Sequence, residues 1–568
     1  MKHIFNKALV CVLCFLTVFC GTSCNLFSKE EPQTTEEQNT EAETEAFYEL
    51  SAGVLSEYMI IYPEDQLTDT LEEKLEELQA AIKKSYGAEP EFRDDFVKEG
   101  TKYTVNRYEI LVGDTNREES INALEDIHKA LDYEIRLCGE KLVVGGLSEA
   151  ANITALDVLI KIINEKPSKS NVFDSSMNVS YRGSYELDDI VLDGASISEY
   201  TVIYESSLGC MNLANQIVEL ITARTGYLIT TQSVKRPIPE GRCIFVGKTT
   251  APTPSAIKTP ISEEQYYIGM EQDDLYIYGI NLVAVTKAVE QFTQAVNGLT
   301  KGSAPLKLTD EVMLFTNTTL TSMSFNIYWD TSDTERKENV VTTIKKYMPD
   351  TFGVQEATSN WMTYLGNELG DTYAWVGEGR NPAGDNEYNA VFYRKDLFNL
   401  VESGTRWMSD TPEVVGSKIQ GSSYPRIFTY ALLELKTTGQ RFLHVNTHPD
   451  HVPNTSYNGY TVRLQQVSVI TSFLKKNYPD VPTILTGDLN DTEDTASLNH
   501  LKSFGFQNSA KIAIGGDTTP TFKDVVIDYA LVTNGDFNVY EYKVITDRYN
   551  GSYPSDHRAI IVCYELTQ

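Results

Sequence analysis

The chain is 568 residues long, 41% hydrophobic and 23% charged, with a formal net charge of −32. That length is too great for one ordinary domain, and the apolar content suffices for buried cores. A polyanion would be repelled at long range, which excludes a general nucleic-acid-binding surface. Reading in chain order, Lys2 and Lys7 make a basic start, and Ala8 to Phe19 is apolar but too short and too early for a useful transmembrane helix. Gly21-Thr22-Ser23-Cys24 follows, so residues 1–24 read as an export signal. Residues 25–47, rich in Glu, Thr and Gln, read as a disordered acidic stalk. Beyond them Cys138, Cys210, Cys243 and Cys563 are widely spaced, with neither a disulfide framework nor a CxxC pair. Free thiols and a single bridge such as Cys210–Cys243 both fit.

The small residues before Cys24 resemble the bacterial lipoprotein cleavage box, although Gly21 stands where that box usually has Leu. The resemblance implies that Cys24 becomes a lipidated first residue. It also implies an exported lipoprotein, held at the cell surface or on the periplasmic face of a membrane.

An internal repeat comes next. Leu55–Tyr62 matches Ile197–Tyr204, Ile110–Asn116 matches Ile244–Thr250, and Tyr133–Gly146 matches Tyr266–Gly279. Each copy reads strand, helix, strand, strand, strand, helix. Leu71, Leu75, Leu78 and Ile82 recur at helical spacing, as do apolar residues in Ala214–Thr225, Ile153–Ile163 and Val283–Val296. This arrangement is similar to the small α/β domain that precedes the catalytic barrel of α-glucuronidases and related glycoside hydrolases, where it accompanies catalysis without supplying it. The copies are assigned to residues 48–185 and 186–316. Neither holds a catalytic constellation. His128 reads as a surface residue on a polar helix. Tyr266, Tyr267, Tyr276 and Tyr278 could face a glycan, and strand packing explains them as well.

Past Phe315 the composition shifts. All four tryptophans and five of the seven histidines lie there, which makes residues 317–568 the place to look for chemistry. Pro482–Thr486 reads as a buried strand stopping at Gly487. Asp488 and Asn490 follow, two residues apart. At a strand end such positions share a face, so a carboxylate and a carboxamide look into one space, as a phosphate and its attacking water require. Leu320–Tyr328 reads as a strand carrying Asn326. A helical pattern through Val340, Ile344 and Tyr347 leads to a strand Thr351–Val354, with Glu356 just past its end, a βαβ position where ligands sit. Further strands are Asn389–Arg394, Arg441–Val445, Val526–Val532 and Ala559–Tyr564.

Taken in order, Phe325-Asn326, Gln355-Glu356, Asn389–Arg394, Asn446-Thr447-His448, Gly487–Asn490, Ile527-Asp528-Tyr529 and Ser555-Asp556-His557 resemble the endonuclease/exonuclease/phosphatase superfamily. The resemblance implies a four-layer α/β sandwich, two mixed sheets face to face with helices outside. It implies Mg²⁺, with Mn²⁺ as an alternative, on Glu356 with Asn326 and Asp556 close by. His557 receives or orients the water's proton, and Asp528 holds its other ring nitrogen. An alternative within the family makes Asp488 the base. Asn490 would hold the phosphate or the water, and His448 a phosphate oxygen or the leaving group. Tyr393 and Arg426 are candidate phosphate contacts. His448 and His451 as a zinc pair would lack a third ligand. Pro449 replaces the Leu that relatives often carry after the histidine. Arg380, Arg406, Lys418 and Arg426 are too few for a duplex-binding groove.

The expectation is therefore a surface-anchored, monomeric metal-dependent phosphoester hydrolase, read first as a phosphodiesterase, with diester and monoester substrates both left open by the sequence. It would act on nucleic acid, phospholipid or a small phosphodiester, with possible glycan contact through the repeats. The competing reading is a non-catalytic glycan-binding lipoprotein with a degenerate hydrolase domain.

Overall fold

The structure is a computed structural model and describes residues 48–97, 106–165, 170–249, 253–257, 260–381, 386–452 and 457–567. The expected signal, lipidation site Cys24 and acidic stalk lie outside the described residues. Residues Glu49–Gln568 cluster as one compact unit. No helix among the described residues is long and apolar enough to cross a membrane.

The first sheet is built from β1 (Met59–Tyr62), β2 (Phe92–Asp94), β3 (Glu109–Val112), β4 (Tyr133–Cys138), β5 (Lys141–Gly145) and β6 (Val179–Tyr181). Helices α1 (Asp69–Tyr86) and α2 (Glu149–Glu165) cover it. The strand order is β2-β1-β3-β5-β4-β6, parallel through β5 and antiparallel after it. α1 begins where the Thr68 hydroxyl accepts from the Leu71 N–H and ends at Gly87 in the left-handed region. Its 3.6-residue stripe puts Leu71, Leu75, Leu78 and Ile82 in the core. Each such burial contributes about 2 kcal/mol.

The second sheet repeats this plan with β7 (Tyr200–Tyr204), α3 (Leu208–Thr225), β8 (Thr231–Ser233), β9 (Arg242–Val246), β10 (Gln265–Glu271), β11 (Asp274–Gly279), α4 (Leu282–Asn297) and β12 (Glu311–Leu314). Its order, β8-β7-β9-β11-β10-β12, has the same strand directions. Tyr267 and Tyr276 are buried in it, the Tyr267 hydroxyl on Asp310, so strand packing accounts for them. His128 is exposed and lies in a turn after the short helix Glu118–Ala123, because that helix ends early. The four cysteines within the described residues are all free.

In doubly wound sheets the crevice beyond the carboxyl ends of the strands usually takes a ligand. In the second sheet that crevice, edged by Glu205, Lys248 and Asn281, is bordered by Gly515–Asp517 and Tyr542 from the C-terminal domain. The Asn212 amide donates to the Ile514 carbonyl at 2.8 Å. Lys287 pairs with Glu565 at 3.2 Å, and the Tyr540 hydroxyl donates to the same carboxylate at 2.6 Å. This face of the second sheet is spent largely on a domain contact.

The C-terminal domain stacks two six-stranded sheets. The first contains β13 (Thr319–Asn326), β14 (Thr351–Gln355), β15 (Tyr373–Val376), β16 (Val391–Arg394), and the last two strands of the chain, Phe537–Val544 and Ile560–Leu566. Helices α5 (Thr334–Tyr347) and α6 (Ser359–Leu369) cover its outer face, burying Val340, Ile344, Trp361 and Leu365. The second contains β17 (Phe398–Trp407), β18 (Ile427–Leu435), β19 (Arg441–Thr447), β20 (Thr483–Asp488), β21 (Phe506–Asn508) and β22 (Asp528–Thr533), backed by α7 (Tyr457–Asn477) and α8 (Ala496–Phe504). The last two strands are β23 (Phe537–Val544) and β24 (Ile560–Leu566). The orders are β15-β16-β14-β13-β24-β23 and β17-β18-β19-β20-β22-β21.

Each sheet has one parallel pair at its centre, β13 with β14 and β19 with β20. The facing layer is apolar at one end, where Leu320, Leu433, Ile484, Val532 and Tyr564 meet, and polar toward the carboxyl ends. There His444 bridges the Thr351 and Thr486 hydroxyls at 2.7 and 2.9 Å. Burial holds its pKa down to about 3, so the ring is neutral. Gln355 and Thr486 both donate to the Asn446 carboxamide oxygen. A Cβ on Gly353 would strike that carboxamide, so only glycine lets the sheets close here.

Candidate active site

The carboxyl ends of both parallel pairs open into one cleft of about 620 Å³. The expected strand stop at Gly487 is not where β20 ends. The strand runs on to Asp488, and Gly487 is needed because a Cβ would sit 2.2 Å from the Thr447 carbonyl oxygen. Asp488 then lies directly opposite Asp528 on β22. Asn490 reaches the cleft by a turn and not by strand alternation. Its φ is +52°, its N–H donates to Asp488 Oδ1 at 2.9 Å, and its carboxamide donates to the Pro449 carbonyl at 3.2 Å. Glu356, just past β14, is also left-handed, at φ +60°. Side chains bearing a Cβ adopt this conformation at a cost, and it recurs where function demands it.

Three groups converge on one atom, Asp488 Oδ2. The Asn326 amide donates to it at 3.0 Å, His448 Nε2 lies 3.6 Å away and His557 Nε2 3.7 Å away. Asn326 also donates to Glu356 Oε1 at 3.1 Å, while its own oxygen accepts the Tyr328 N–H. Asn326 thus sits beside Glu356, the residue expected to hold the ion. The Tyr328 N–H fixes the amide so that its nitrogen faces, and braces, the two carboxylates.

On the far side His557 Nδ1 meets Asp528 at 2.9 Å. The Phe522 ring stacks on His557 with centroids 4.5 Å apart, and Ser555 ties the loop to the Asn326 carbonyl at 2.7 Å. Burial would lower the His557 pKa, but Asp528, Asp488 and Asp556 outweigh it and lift it to about 9. Burial and the Asp528 charge push the Asp488 carboxyl up. Burial likewise raises Glu356. His448 is held well below its ordinary value by burial and by Arg426 and Arg380, so it is a neutral imidazole, and its Nδ1 is buried without a partner.

Of the other expected residues, Asp556 lines the cleft from an exposed position. Arg426 lines its wall. Tyr393 does not reach the cleft, because β16 turns it into the core between the sheets. His451 pairs with Arg426 at 3.2 Å and not with His448. Sequence reasoning missed Trp329, Glu387, Tyr424 and Phe522, and noted Arg380 without placing it. Arg380 makes a two-pronged pair with Glu387 at 2.6 and 2.8 Å, and its guanidinium lies 4.6 Å from the Tyr424 ring centre. Arg406 goes elsewhere, onto Tyr430 and Phe473. The available signal was nearness in sequence: Trp329 follows Asn326 by three residues, while Glu387 and Tyr424 precede Asn389 and Arg426 by two.

Glu356, His448 and Asp488 offer ligand atoms within 4.8 Å of one another, as do Asp488, Asp528 and His557. Crowded carboxylates with raised pKa values and mostly oxygen donors are the environment a hard dication relieves. The donor set therefore fits a divalent ion on Glu356, with Asp488 and Asp556 near.

A family model described as "Endonuclease/Exonuclease/phosphatase family" matches residues 323–557. No curated protein matches the chain. Among solved structures, an endonuclease/exonuclease/phosphatase from Bacteroides vulgatus is 27% identical over 44% of this chain and 100% of its own, with TM-score 0.40. The mannosyl-6-phosphatase of Bacteroides thetaiotaomicron is 28% identical over 43% of this chain and 98% of its own, with TM-score 0.38. The human Nocturnin catalytic domain is 20% identical over 44% and 96%, with TM-score 0.38. The seven motifs and the matched family model agree on one assignment: residues 323–557 are a domain of the endonuclease/exonuclease/phosphatase family.

Proposed function

We propose that the chain is a divalent-metal-dependent phosphoester hydrolase that uses Mg²⁺, exported and anchored through Cys24. The observation that carries the catalytic reading is the meeting of Asn326, His448 and His557 on one carboxylate oxygen of Asp488. A dication held by Glu356 would supply positive charge to a phosphoryl oxygen. Asp488 Oδ2 accepts the proton of the attacking water. His557, an imidazolium at neutral pH, holds its Nε2–H toward that same oxygen, and Asp528 fixes the ring. This favours Asp488 over His557 as the base. Neutral His448 and the Asn490 carboxamide donate to the phosphoryl oxygens. Trp329, exposed at the rim, offers a flat surface to the leaving group. The net charge of −32 and the scatter of Arg380, Arg406, Lys418 and Arg426 disfavour duplex DNA as the substrate.

The test is hydrolysis of p-nitrophenyl phosphate and bis-p-nitrophenyl phosphate with Mg²⁺ and with chelator. Glu356→Gln and His557→Ala should lower kcat by about 10³-fold with unchanged circular dichroism. Wild-type rates in either variant refute the assignment. Mass spectrometry of the membrane-extracted protein should find Cys24 as a lipidated first residue, and an unmodified N-terminus would remove the anchoring.

A further inference from the structure

Between the short helix Ser509–Ile512 and β22 the chain runs on without helix or strand. A stretch of that length is uncommon in a compact domain and needs outside contacts to hold it. Its two ends answer to different domains. At the start, the Ile514 side chain packs on the core of the second repeat, and the Ile514 carbonyl accepts from the Asn212 amide at 2.8 Å. Gly515 and Gly516 follow, the residues with the most backbone freedom in the stretch. The second repeat lies against them: a Cβ on Gly515 would stand 3.0 Å from Leu282 and 3.7 Å from the Gly209 Cα. Toward the finish, Phe522 stacks on the His557 ring.

Beyond the glycines the stretch is tied down by backbone hydrogen bonds. Asp517 accepts the N–H groups of Thr519 and Val544 at 2.8 and 2.9 Å. The Arg558 N–H donates to the Thr521 carbonyl at 2.7 Å, and its guanidinium donates to the carbonyls of Pro520 and Lys523. The Thr521 hydroxyl accepts the Asp528 N–H at 3.1 Å. Residues 517–523 therefore move as one piece, joined to the backbone beside His557 and to that of its partner Asp528. The loose joint is the glycine pair, and the second repeat covers it. Resting on the hydrolase reading above, we propose that the second repeat is a working part of the active site. Asn212 and Leu282 act as positioning residues that set Phe522, and through it His557, while contributing no group to the cleft. A catalytic ring must be held within about 0.5 Å of its productive place, which takes a supporting shell.

The experiment uses the full chain with Mg²⁺, p-nitrophenyl phosphate and bis-p-nitrophenyl phosphate. Asn212→Ala combined with Leu282→Ala removes both contacts from the repeat's side and leaves the stretch itself unaltered. This double variant should lose about tenfold in kcat with KM within about twofold of wild type, because the groups that bind substrate are untouched. Lys287→Met is the comparison. It weakens the same domain contact, but through Glu565 near the end of β24 remote from His557, so kcat should stay within about twofold of wild type. NMR of the His557 ring at pH 6 reads its placement without turnover. The Phe522 ring displaces the His557 proton signals, which are assigned by their loss in His557→Ala, and Phe522→Leu gives their unstacked position. The double variant should move them toward that position, and Lys287→Met should not.

A wild-type kcat or an unmoved His557 signal in the double variant overturns the proposal. So does an equal loss in Lys287→Met, which would mark an interface that only stabilises the fold. If wild type cleaves neither ester, the hydrolase reading falls and the His557 signal alone decides: movement sustains the positioning, and none overturns it. If the double variant does not fold, Asn212→Ala is read on the same two measurements and should shift both in the same direction; no shift overturns the proposal.

Discussion

Replacing Asp528 by Asn keeps the shape of the side chain and removes its charge from His557. The wild-type imidazole is lifted from 6.5 to about 9 against burial that pulls the other way. That difference corresponds to about 3 kcal/mol favouring the protonated ring. Because the folded-state value lies above the unfolded one, the stabilisation is whole below pH 6.5. It drains away as pH rises through about 9. Asp528 is the largest of the three carboxylate contributions, so Asp528→Asn should cost up to about 3 kcal/mol at pH 6 and little at pH 10. The variant also relieves Asp488, whose carboxyl Asp528 helps push up, which reduces the high-pH cost further. Two assays read this with divalent ions removed. NMR titration of the His557 ring should show a midpoint near 9 in wild type and about two pH units lower in the variant. Urea unfolding at pH 6 and pH 10 should show the pH-dependent gap. A midpoint within about half a unit of wild type, or an equal loss at both pH values, would refute the coupling of Asp528 to His557.

Two further outcomes concern the frame around the site. Gly487→Ala places a methyl 2.2 Å from the Thr447 carbonyl oxygen, so β19 and β20 must part. The expected loss is about 2–4 kcal/mol in urea unfolding, with kcat reduced because Asp488 moves; wild-type stability would mean the strands yield freely. Lys287→Met leaves the half-buried Glu565 with only the Tyr540 and Thr318 hydroxyls. A loss of about 1–2 kcal/mol should accompany faster proteolysis between the second repeat and the C-terminal domain. No change in either would show that the interface is carried by other contacts.

The strand and helix frame of the C-terminal domain could be read from the chain because its central elements obey simple periodicities. Buried strands such as Thr351–Gln355 and Thr483–Asp488 are short apolar runs with β-branched residues, and α5 shows a stripe of Val340 and Ile344. The hairpin of β17 and β18 was not seen, since Leu400–Glu402 of β17 faces solvent and its sequence alternates poorly. The helix Tyr457–Asn477 was hidden by Gly459 and a polar start.

The site divides the same way. Asn326, Glu356, His448, Asp488 and His557 stand next to strand ends, and strand ends of two stacked sheets must meet at a common edge, so their convergence is a consequence of topology. The orientation of each group is set by contacts that no local pattern encodes. One backbone N–H turns the Asn326 nitrogen toward the carboxylates, left-handed turns aim Glu356 and Asn490, and the far loop carrying Phe522 clamps His557. The same limit hid the pairing of Arg380 with Arg426. Seen in sequence they are two cations among several in a loop-rich stretch. Only after folding do both reach the Tyr424 ring, with Arg380 held by Glu387. Residue types near strand tips thus identify a reaction class, whereas the wall of the cleft is assembled from separate stretches of chain that meet only after folding.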